Sequence, residues 1–539
     1  MTLGNQIISR FEKAKSHRSN WDHHWQEVAD LTLPTRQFSY EFSSGEMRRN
    51  KIFNDTAPNA AQSPAAALSG MLTNTSVRWF GLTASNARLA QREDIKRYLH
   101  ESTTLMLEYF DSNRSQFAVA SHELYLDLVS FGTAVMYLNQ EGDDLVFQTR
   151  QLANFYIMEN EAGKVTECYR NFRMSLRDAM DVFGDELPED ILRMSDPNSG
   201  SYNPDTEIEF VHAIYKRQER DPYKMDFTNK PFASMYVEVS TKEVVREGGF
   251  DRMPYLVPRW SKAAEEMYGR GPAMHVLPGI KVANAMSRTL LEAAELAIRP
   301  PLLVPANSIE GPIRTSPGSI LYYRSGQREI PQPLVSGANP AIGQNLLDKQ
   351  EARIEQAFFL DKLTLPMNDR MTATEIIERR QQGLMSAAPV LSRLYAEWLN
   401  PIVEGTYSWM RSSGMLPAPP EDLKGTGMGI EYRSPMASSK RSAESQAFLQ
   451  SLQVVLPLLQ ANPQVLDNIN ADQAVRSIMF NNGVNPDLLR PEEEVQAMRQ
   501  GRQQQQNQAM QAQAVQQQAM AARNTAAAAK DLGSVRQQQ

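Results

Sequence analysis

Between Pro278 and Pro300 the chain runs for about 20 residues, roughly 30 Å at the rise of an α-helix, as GIKVANAMSRTLLEAAELAIR. Proline suits the first turn of a helix and cannot continue one, so Pro278 is predicted to open this helix and Pro300 to end it. At 100° per residue its polar side chains fall within an arc of roughly 80°. They are Lys281, Asn284, Arg288, Glu292, Glu295 and Arg299. Because the rest of the surface is apolar or small, a core or neighbouring copies must cover the helix on several sides.

A second helix is predicted at GQNLLDKQEARIEQAFFLDKL, where Leu347, Ile354 and Phe358 lie on one line. The stretch between the two helices, residues 300–340, is rich in proline, glycine and serine and predicts short strands and turns. The two helices are therefore expected to return antiparallel, with the turn-rich module at the tip.

Helical periodicity also dominates both ends of the chain. Residues 1 to about 130 are predicted to be helical, with helices after Asn20 (WDHHWQEVADLTL), near Arg92 to Phe110, and from Ala118 to Val129. Helical patterns return in RMTATEIIERRQQGLMSAAPVLSRLYAEWLNPIVEGTYSWM and from about 437 to 480. The Gln/Ala-rich tail from Gly501 is either disordered or a helix that becomes stable only when bundled.

Strand patterns lie between these helical regions. FGTAVMYLNQ and LVFQTR predict a hairpin centred on Gly142, EIEFVHAIYKR predicts a strand, and MYVEVS with EVVREGG predicts a hairpin at Thr241 and Lys242. PYLVPRW, residues 254–260, is too rich in proline for a central strand and is expected at an edge. The acidic stretch 185–207 is expected to be a helix end and a solvated loop. The predicted fold class is α+β, predominantly α-helical.

Composition excludes several classes of protein. With 41% hydrophobic and 22% charged residues, the 539-residue chain is typical of a soluble globular protein. A net charge of −7 argues against a tight DNA binder, which usually has a basic excess, but not against a protein that lets DNA pass. We expect neither a membrane span nor a secretory signal. Cys168 is the only cysteine, so no intrachain disulfide can form, which suits assembly in a reducing cytoplasm.

Motifs for catalysis are not found in the sequence, which contains no G-x-x-x-x-G-K-[ST], H-E-x-x-H or G-x-S-x-G. We therefore expect no enzyme activity, no cofactor and no metal site. The glycine-rich GTGMG at 425–429 follows no clear strand and is predicted to be a loop. Two polar clusters are interpreted as solvated or structural rather than as metal or catalytic sites. They are Asp22, His23 and His24, and His122 with Glu123 and Asp127.

An ordered series of segments resembles the portal (head-to-tail connector) family of short-tailed bacteriophages. The segments are YGRGPAMHVLPGIKVAN, LLEAAELAIRPPLLVP, SPGSILYY, RIEQAFFLDKL, MTATEIIERR and EYRSPMASSKRSAES. The early WQEVADLTLPTR and FGTAVMYL are similar to the N-terminal half of the family. The resemblance covers roughly residues 5–490, and the order of the segments is more specific than any one of them.

The resemblance implies a portal fold with wing, stem, clip and crown regions, assembled as a ring. The implied regions are an N-terminal wing and body at 1–272, a first stem helix at 273–299, a clip at 300–340, a second stem helix at 341–362, a tunnel loop and wing helix at 363–437, a crown at 438–500 and the tail at 501–539. The tunnel loop itself would be residues 364–371.

The resemblance also implies a role and partners. The ring would have twelve copies, form the DNA channel at the capsid vertex of the virion, and be assembled in the host cytoplasm. Its partners would be double-stranded DNA, the terminase large subunit, a tail adaptor protein, and the major capsid and scaffolding proteins, with no membrane. A ring repeats each cation around the channel, so a few basic rings are expected to centre DNA without holding it fast. The candidates are Lys349, Arg353, Lys362, Arg370, Lys281 and Arg288.

Two other readings stay open at this stage. The stripe cations Lys281 and Arg288 would equally suit pairing with carboxylates across a subunit contact. The alternative function is a tail adaptor or another non-channel structural protein of the virion, which an image of the assembly would distinguish from a ring with a central hole. A DNA-processing enzyme would need clustered acidic metal ligands or a phosphate loop, and would hydrolyse nucleotides in a direct assay.

Overall fold

The structure is a computed structural model that describes most of the chain. The described residues are 2–38, 51–86, 88–195, 202–221, 223–224, 226–303, 332–333, 340–358, 387–423, 427–432, 450–451, 470–481, 490 and 492–535. They belong to two compact units, Met1–Met436 and Ala437–Gln539. Several predictions lie outside the described residues: the expected clip apart from its base, the expected tunnel loop with Lys362 and Arg370, and most of the expected crown.

Among the described residues of the first unit, helices account for more residues than strands do. The helices are α1 (Leu3–Thr32), α2 (Thr56–Leu72), α3 (Glu93–Asp111), α4 (Phe117–Phe131), α5 (Leu176–Phe183), α6 (Glu189–Met194), α7 (Pro272–Ile298), α8 (Pro340–Ala357) and α9 (Asn400–Ser412). A helical stretch at 387–394 and a π-helical turn, Tyr395–Leu399, lead directly into α9. The second unit contains α10 (Ala471–Asn481) and α11 (Glu492–Val535).

Among the residues that the structure describes, strands form four antiparallel sheets. The strands are β1 (Phe80–Ala84), β2 (Val135–Glu141), β3 (Asp144–Arg150), β4 (Phe155–Glu159), β5 (Val165–Ser175), β6 (Glu207–Lys216), β7 (Phe232–Glu238), β8 (Val244–Phe250), β9 (Tyr255–Leu256), β10 (Leu302–Leu303), β11 (Gln332–Pro333) and β12 (Met428–Tyr432). The sheet orders are β4-β5-β6-β7-β8, β3-β2-β9, β1-β12 and β10-β11. The expected α+β class with a helical majority is confirmed.

The hairpin and edge predictions are confirmed. β2 and β3 pair from Val135↔Arg150 to Glu141↔Asp144, and Gly142 turns the chain with a φ of +58°, a conformation that glycine adopts without steric cost. β7 and β8 form the second predicted hairpin, with Lys242 in its turn. β9 is an edge strand beside β2, as the prolines around it predict.

Helix α1 is much longer than predicted, since Asn20 lies inside it and exposed rather than at its start. Its first half packs Ile7, Ile8 and Phe11 on one face of the five-stranded sheet, and Trp25 enters the main helical core. The sequence pattern does not indicate one continuous apolar face along α1, because the charged Arg18 occupies a buried position within that face. The Arg18 guanidinium donates to the carbonyl oxygens of Leu152, Ala153 and Phe155 at 2.5–2.8 Å, which satisfies a charge at an otherwise apolar site.

Four strands correct the sequence prediction. The first 130 residues are not all helical, because β1 pairs with β12 more than 300 residues later. The GTGMG segment is not all loop, because β12 begins at Met428. β4 and β5 were not predicted, although β5 lies inside the five-stranded sheet and carries the buried Cys168.

The Gln/Ala-rich tail is helical. α11 runs for 44 residues, and its side chains are exposed wherever the structure describes them after residue 500. The structure describes this segment as a helix as far as Val535, and a helix that becomes stable only when bundled stays a prediction. Within the second unit, Arg499 of α11 pairs with Asp472 of α10 at 2.5 Å.

Candidate functional site

Helix α7 begins where the backbone at Gly271 lies against the backbone at Val129 and Gly132. Gly271 precedes its first residue, Pro272, and a Cβ at Gly271 would lie 2.7 Å from the carbonyl oxygen of Val129. A Cβ at Gly132 would lie 2.2 Å from the Gly271 nitrogen, and Gly132 also has a φ of +71°. The prediction that Pro278 opens the helix is wrong: Pro272 takes the first position and Pro278 lies within the helix.

The first half of α7 is anchored in the main core of the first unit. Its buried side chains lie on one face and pack among α1, α4 and the neighbouring strands. They are Ala273, Met274, Leu277, Ile280 and Ala283. The helix is therefore fixed at its start, while its second half extends beyond this cover.

Helix α8 returns antiparallel along α7, as predicted. A Cβ at Gly279 would lie 2.5 Å from Nε2 of Gln350, and one at Gly343 would lie 2.7 Å from Cδ2 of Leu290, so both glycines permit close approach of the helices. Beyond the helix ends, Leu302↔Pro333 pairing joins β10 and β11 at the base of the predicted clip. The predicted line of Leu347, Ile354 and Phe358 is buried.

Large apolar side chains stay uncovered on two flanks of α7. One flank carries Val282 and Leu296 and the other carries Leu291 and Ile298, with exposed fractions from 49% at Leu296 to 78% at Ile298. At about 100° per residue the two flanks lie roughly 140–180° apart. Single exposed apolar residues are ordinary, but two flanks along one helix mark surfaces for association.

The polar stripe faces away from α8 and already has partners within the chain. Lys281 Nζ lies 2.7 Å from Oε2 of Glu27, and Arg288 Nε lies 2.9 Å from Oε1 of Glu292. Asn284 Oδ1 accepts from the backbone nitrogen of Phe53 at 2.7 Å. The stripe is thus partly covered by this chain's own α1 and the segment after residue 50.

The other described channel candidates, Lys349 and Arg353, are exposed on α8. Neither has an ion pair with any residue that the structure describes. On the same side of the helix lie the exposed Ile342 and Leu346. Another side of α8 carries exposed carboxylates, roughly 100–160° from Lys349 and Arg353 on a helical projection. They are Asp348 and Glu355.

Comparison with known proteins decides the family. The model of the family described as bacteriophage head to tail connecting protein matches residues 4–489. A probable portal protein of Bordetella phage BPP-1 is 30% identical over 517 residues, which is 93% of this chain and 92% of the relative. This chain belongs to the bacteriophage head-to-tail connecting protein family.

Two further relatives of this chain are also portal proteins of bacteriophages. The portal protein of Salmonella phage epsilon15 is 29% identical over 94% of this chain and 92% of its own length. The portal protein of Enterobacteria phage T3 is 22% identical over 59% of this chain and 57% of its own length. The family resemblance inferred from the ordered segments is confirmed.

The polar clusters of this head-to-tail connecting protein have structural partners. Asp22 pairs with Arg18 at 2.9 Å, and Asp127 pairs with Arg36 at 2.8 Å. Among the described residues no group of three histidine, cysteine or acidic side chains is placed to hold a metal ion. None of the described helices has an apolar stretch long enough to cross a membrane.

Asp127 gives this head-to-tail connecting protein a pH-dependent stability. Burial, only partly opposed by Arg36, raises the pKa of Asp127 from 3.8 to about 6. The folded state then holds the proton more tightly than the unfolded state, so stability falls as pH rises from about 4 to about 6. The linked free energy is on the order of 3 kcal/mol.

Asp127→Asn should remove this contribution. Relative to the wild type, the variant should gain stability between pH 4 and pH 7 in urea unfolding. Asp111→Asn, at an exposed carboxylate of α3, should reproduce the wild-type curve. Parallel pH curves for the wild type and Asp127→Asn would contradict the prediction.

The sequence analysis did not identify the apolar residues that form the two exposed flanks of α7. The signal was present, because the same helical projection that gathers the polar stripe also places Val282 and Leu291 on opposite sides. What the projection did not contain was the position of α8, which occupies the side opposite the stripe and leaves the two flanks open.

Proposed function

We propose that this chain is the portal subunit of a bacteriophage, one copy of a closed ring around a DNA channel at the capsid vertex. The observation that carries the proposal is the arrangement around α7. α8 lies behind it, the polar stripe lies in front, and uncovered apolar flanks lie on both sides. A helix pair of this kind is covered when identical pairs stand side by side.

Side-by-side packing of this kind closes into a ring. Each copy offers one flank to one neighbour and the other flank to the next, which is a heterologous contact that forms a ring when the rotation closes. The apolar area removed from water contributes about 25 cal/mol per Å², as an upper estimate. The same contact repeats at every subunit, so the total grows with the size of the ring.

Within the ring we place the α8 side towards the channel. Lys349 and Arg353 are exposed there, whereas Lys281 and Arg288 lie on the opposite side of α7 with carboxylate partners of their own. Lys362 and Arg370 continue the proposed basic rings outside the described residues. In a twelve-fold ring around a duplex of about 10 base pairs per turn, the subunits do not all make the same phosphate contact at once. DNA is thereby centred without being held fast.

The remaining assignments follow the family. We propose twelve copies, a clip at 300–340 that meets the terminase large subunit and later the tail adaptor, and contacts with major capsid and scaffolding proteins. Assembly in the host cytoplasm and a final place in the virion belong to the same proposal. The role is that of a passive channel rather than an enzyme.

Electron microscopy of the purified full chain tests the ring. Top views should show a closed ring with a central hole, and the symmetry can be counted from class averages. A stable monomer in which both flanks of α7 are covered by the chain itself would overturn the proposal.

The channel assignment predicts an effect on packaged DNA. Reversing two charges per subunit, in Lys349→Glu with Arg353→Glu, should reduce retention of DNA in assembled heads, more strongly at low than at high ionic strength. The measurement is the DNA content of purified heads over time. Lys281→Glu is the matched control on the opposite side of α7 and should leave retention near the wild-type value.

A charge exchange separates the channel role from contacts between subunits. If Lys349 and Arg353 instead pair with a neighbour's acidic side of α8, adding Asp348→Lys and Glu355→Lys should restore DNA retention. Restoration would overturn the channel assignment for these two residues. A defect that persists in correctly formed rings supports it.

A further inference from the structure

A row of polar and aromatic side chains crosses the five-stranded sheet. The cross-strand partners run Phe155↔Arg170, Arg170↔His212, His212↔Tyr236 and Tyr236↔Arg246. Directly opposed residues of neighbouring strands share one face of the sheet. The His212 and Tyr236 rings are stacked, with centroids 4.1 Å apart. One face of this sheet therefore carries a polar seam between two apolar clusters.

The three-stranded sheet contacts this seam, and we call the region where the two sheets meet the cleft. Tyr137 pairs with Gln148 and with Tyr255, and the Tyr137 and Tyr255 rings lie 4.6 Å apart. Tyr255 also touches the first sheet, because its hydroxyl lies 3.1 Å from Nδ1 of His212. On the same face as Tyr137, the Arg150 guanidinium lies 5.5 Å from the Tyr137 ring centre. The two sheets thus bring Arg150 and Arg170 into one cleft.

These two arginines have no carboxylate partner among the described residues. Arg150 donates one hydrogen bond, to Oε1 of Gln148 at 2.5 Å, and its buried Nε has no partner. Arg170 lies 4.6 Å above the Phe172 ring and makes no hydrogen bond through its guanidinium to a described residue. Each guanidinium has five N–H donors, so most of the donors in the cleft are unused.

Three other arginines that are partly or fully buried have carboxylate partners. Arg36 pairs with Asp127, Arg217 with Glu247, and Arg259 with Glu159 and Glu397. Those pairs offset the desolvation of the charges, as buried charges require. Arg150 is also partly buried, but it has no carboxylate partner among the described residues. Burial, together with the nearby positive charge of Arg170, lowers the pKa of Arg150.

Apart from Arg246, whose charge is balanced by Glu186 at 2.5 Å, every other polar group facing the cleft is neutral. Burial lowers the pKa of His212 to about 3, and its ring nitrogens are engaged by Tyr255 and by Ser234 Oγ at 2.9 Å. Burial raises the pKa of Tyr236, so its hydroxyl keeps its proton at neutral pH. The cleft therefore holds two positive charges and hydroxyl donors, with no negative charge to balance them.

We propose that Arg150 and Arg170, with the hydroxyl of Tyr236, bind an oxyanion in the cleft between the two sheets. Guanidinium groups are suited to phosphate and carboxylate because their N–H donors form paired, charge-assisted hydrogen bonds. The oxyanion is either free phosphate or a carboxylate of a second copy of this chain. The inference stands whether or not the subunits form a ring.

Calorimetric titration of the full chain with inorganic phosphate, at constant ionic strength in chloride buffer, tests the site. We expect saturable binding at millimolar phosphate. Arg150→Gln or Arg170→Gln should weaken it about tenfold or more, because each removes a charge-assisted contact. Arg173→Gln is the matched control: it is on the same strand as Arg170 but on the other face, where it is exposed and faces Glu207 and Glu209.

Thermal unfolding separates binding from a structural role. Phosphate should raise the unfolding temperature of the wild type and of Arg173→Gln, but not of Arg150→Gln. Without phosphate, Arg150→Gln should be no less stable than the wild type, because it removes an unpaired, partly buried charge. If Arg150→Gln is equally destabilised with and without phosphate, the arginine is structural and the proposal is wrong.

The source of the oxyanion is resolved by repeating the titration on subunits kept from assembling by Leu296→Glu. Phosphate binding by both the assembled protein and the separated subunits identifies a site for the free anion. Binding by the separated subunits alone identifies a neighbour's carboxylate as the occupant in the assembly. No binding in either form overturns the proposal.

Discussion

Glutamate in place of Leu291 or of Leu296 is expected to leave the chain folded but unable to close into rings. Each change puts a charge in the middle of one exposed apolar flank of α7. A charge without a partner in a buried contact costs several kcal/mol, and every contact in the ring would carry it. Sedimentation velocity should show separated subunits in place of a closed assembly.

Mixing the two variants gives a sharper result. In a ring built from two different flanks, Leu291→Glu keeps the flank that Leu296→Glu has lost, and the reverse holds for the other variant. An equimolar mixture should therefore form pairs of one subunit each, and nothing larger. Val119→Glu, at an exposed apolar residue of α4, is the control and should assemble as the wild type does. Rings formed by both single variants would exclude α7 as the contact.

Arg259→Met is expected to lower the free energy of unfolding of the first unit by about 3–5 kcal/mol, the usual effect of removing one partner from a buried ion pair. The Arg259 guanidinium is 2% exposed and lies 2.8 Å from Glu159 and 2.6 Å from Glu397. It also donates to the carbonyl oxygens of Gly163 and Met267. Among the described residues, its loss leaves Glu397 with only the longer 3.7 Å pair to Arg393, whereas Glu159 keeps Lys262 at 2.7 Å.

Urea unfolding followed by tryptophan fluorescence measures this effect. Arg252→Met, which removes an exposed ion pair with Glu404, is the control and should cost about 1 kcal/mol or less. Adding Glu397→Gln to Arg259→Met should recover part of the loss, since a neutral amide tolerates the absent charge. Equal losses for Arg259→Met and Arg252→Met would show that the buried pairs contribute little.

The periodicity of apolar residues was sufficient to predict those helices and strands that bury a single face. The antiparallel pair of α7 and α8 follows from the line of Leu347, Ile354 and Phe358 and from the turn-rich stretch before it. The hairpin at Gly142 follows from alternation on either side of a residue that adopts positive φ. In these cases the pattern that indicates the element is also the pattern that is buried.

Periodicity failed where a charge occupies an apolar position or where the partner is distant. Arg18 interrupts the apolar face of α1 in sequence, but it is buried there because three carbonyl oxygens accept hydrogen bonds from its N–H groups. β1 and β12 are each five residues long and find each other across more than 300 residues. Glu397 lies in a π-helical turn that has no simple sequence pattern, yet it pairs with Arg259.

The cleft of Arg150 and Arg170 shows a different limit. Each arginine on its own is an ordinary strand residue, and nothing in their spacing links them. Only the pairing of β5 with β4 and β6, and the contact of Tyr255 with His212, brings the two charges together. A site made by two sheets from separate stretches of chain has no local sequence signal.

The buried position of Cys168 makes the natural chain a convenient background for site-specific labelling. Its side chain is inaccessible on β5, and burial raises the pKa of the thiol, so the reactive thiolate does not form at neutral pH. Since the sequence has no other cysteine, one introduced at an exposed position away from α7, such as Val119, would be the single thiol open to a maleimide dye. Energy transfer between dyes on adjacent copies would then report assembly in real time, without prior removal of any native residue.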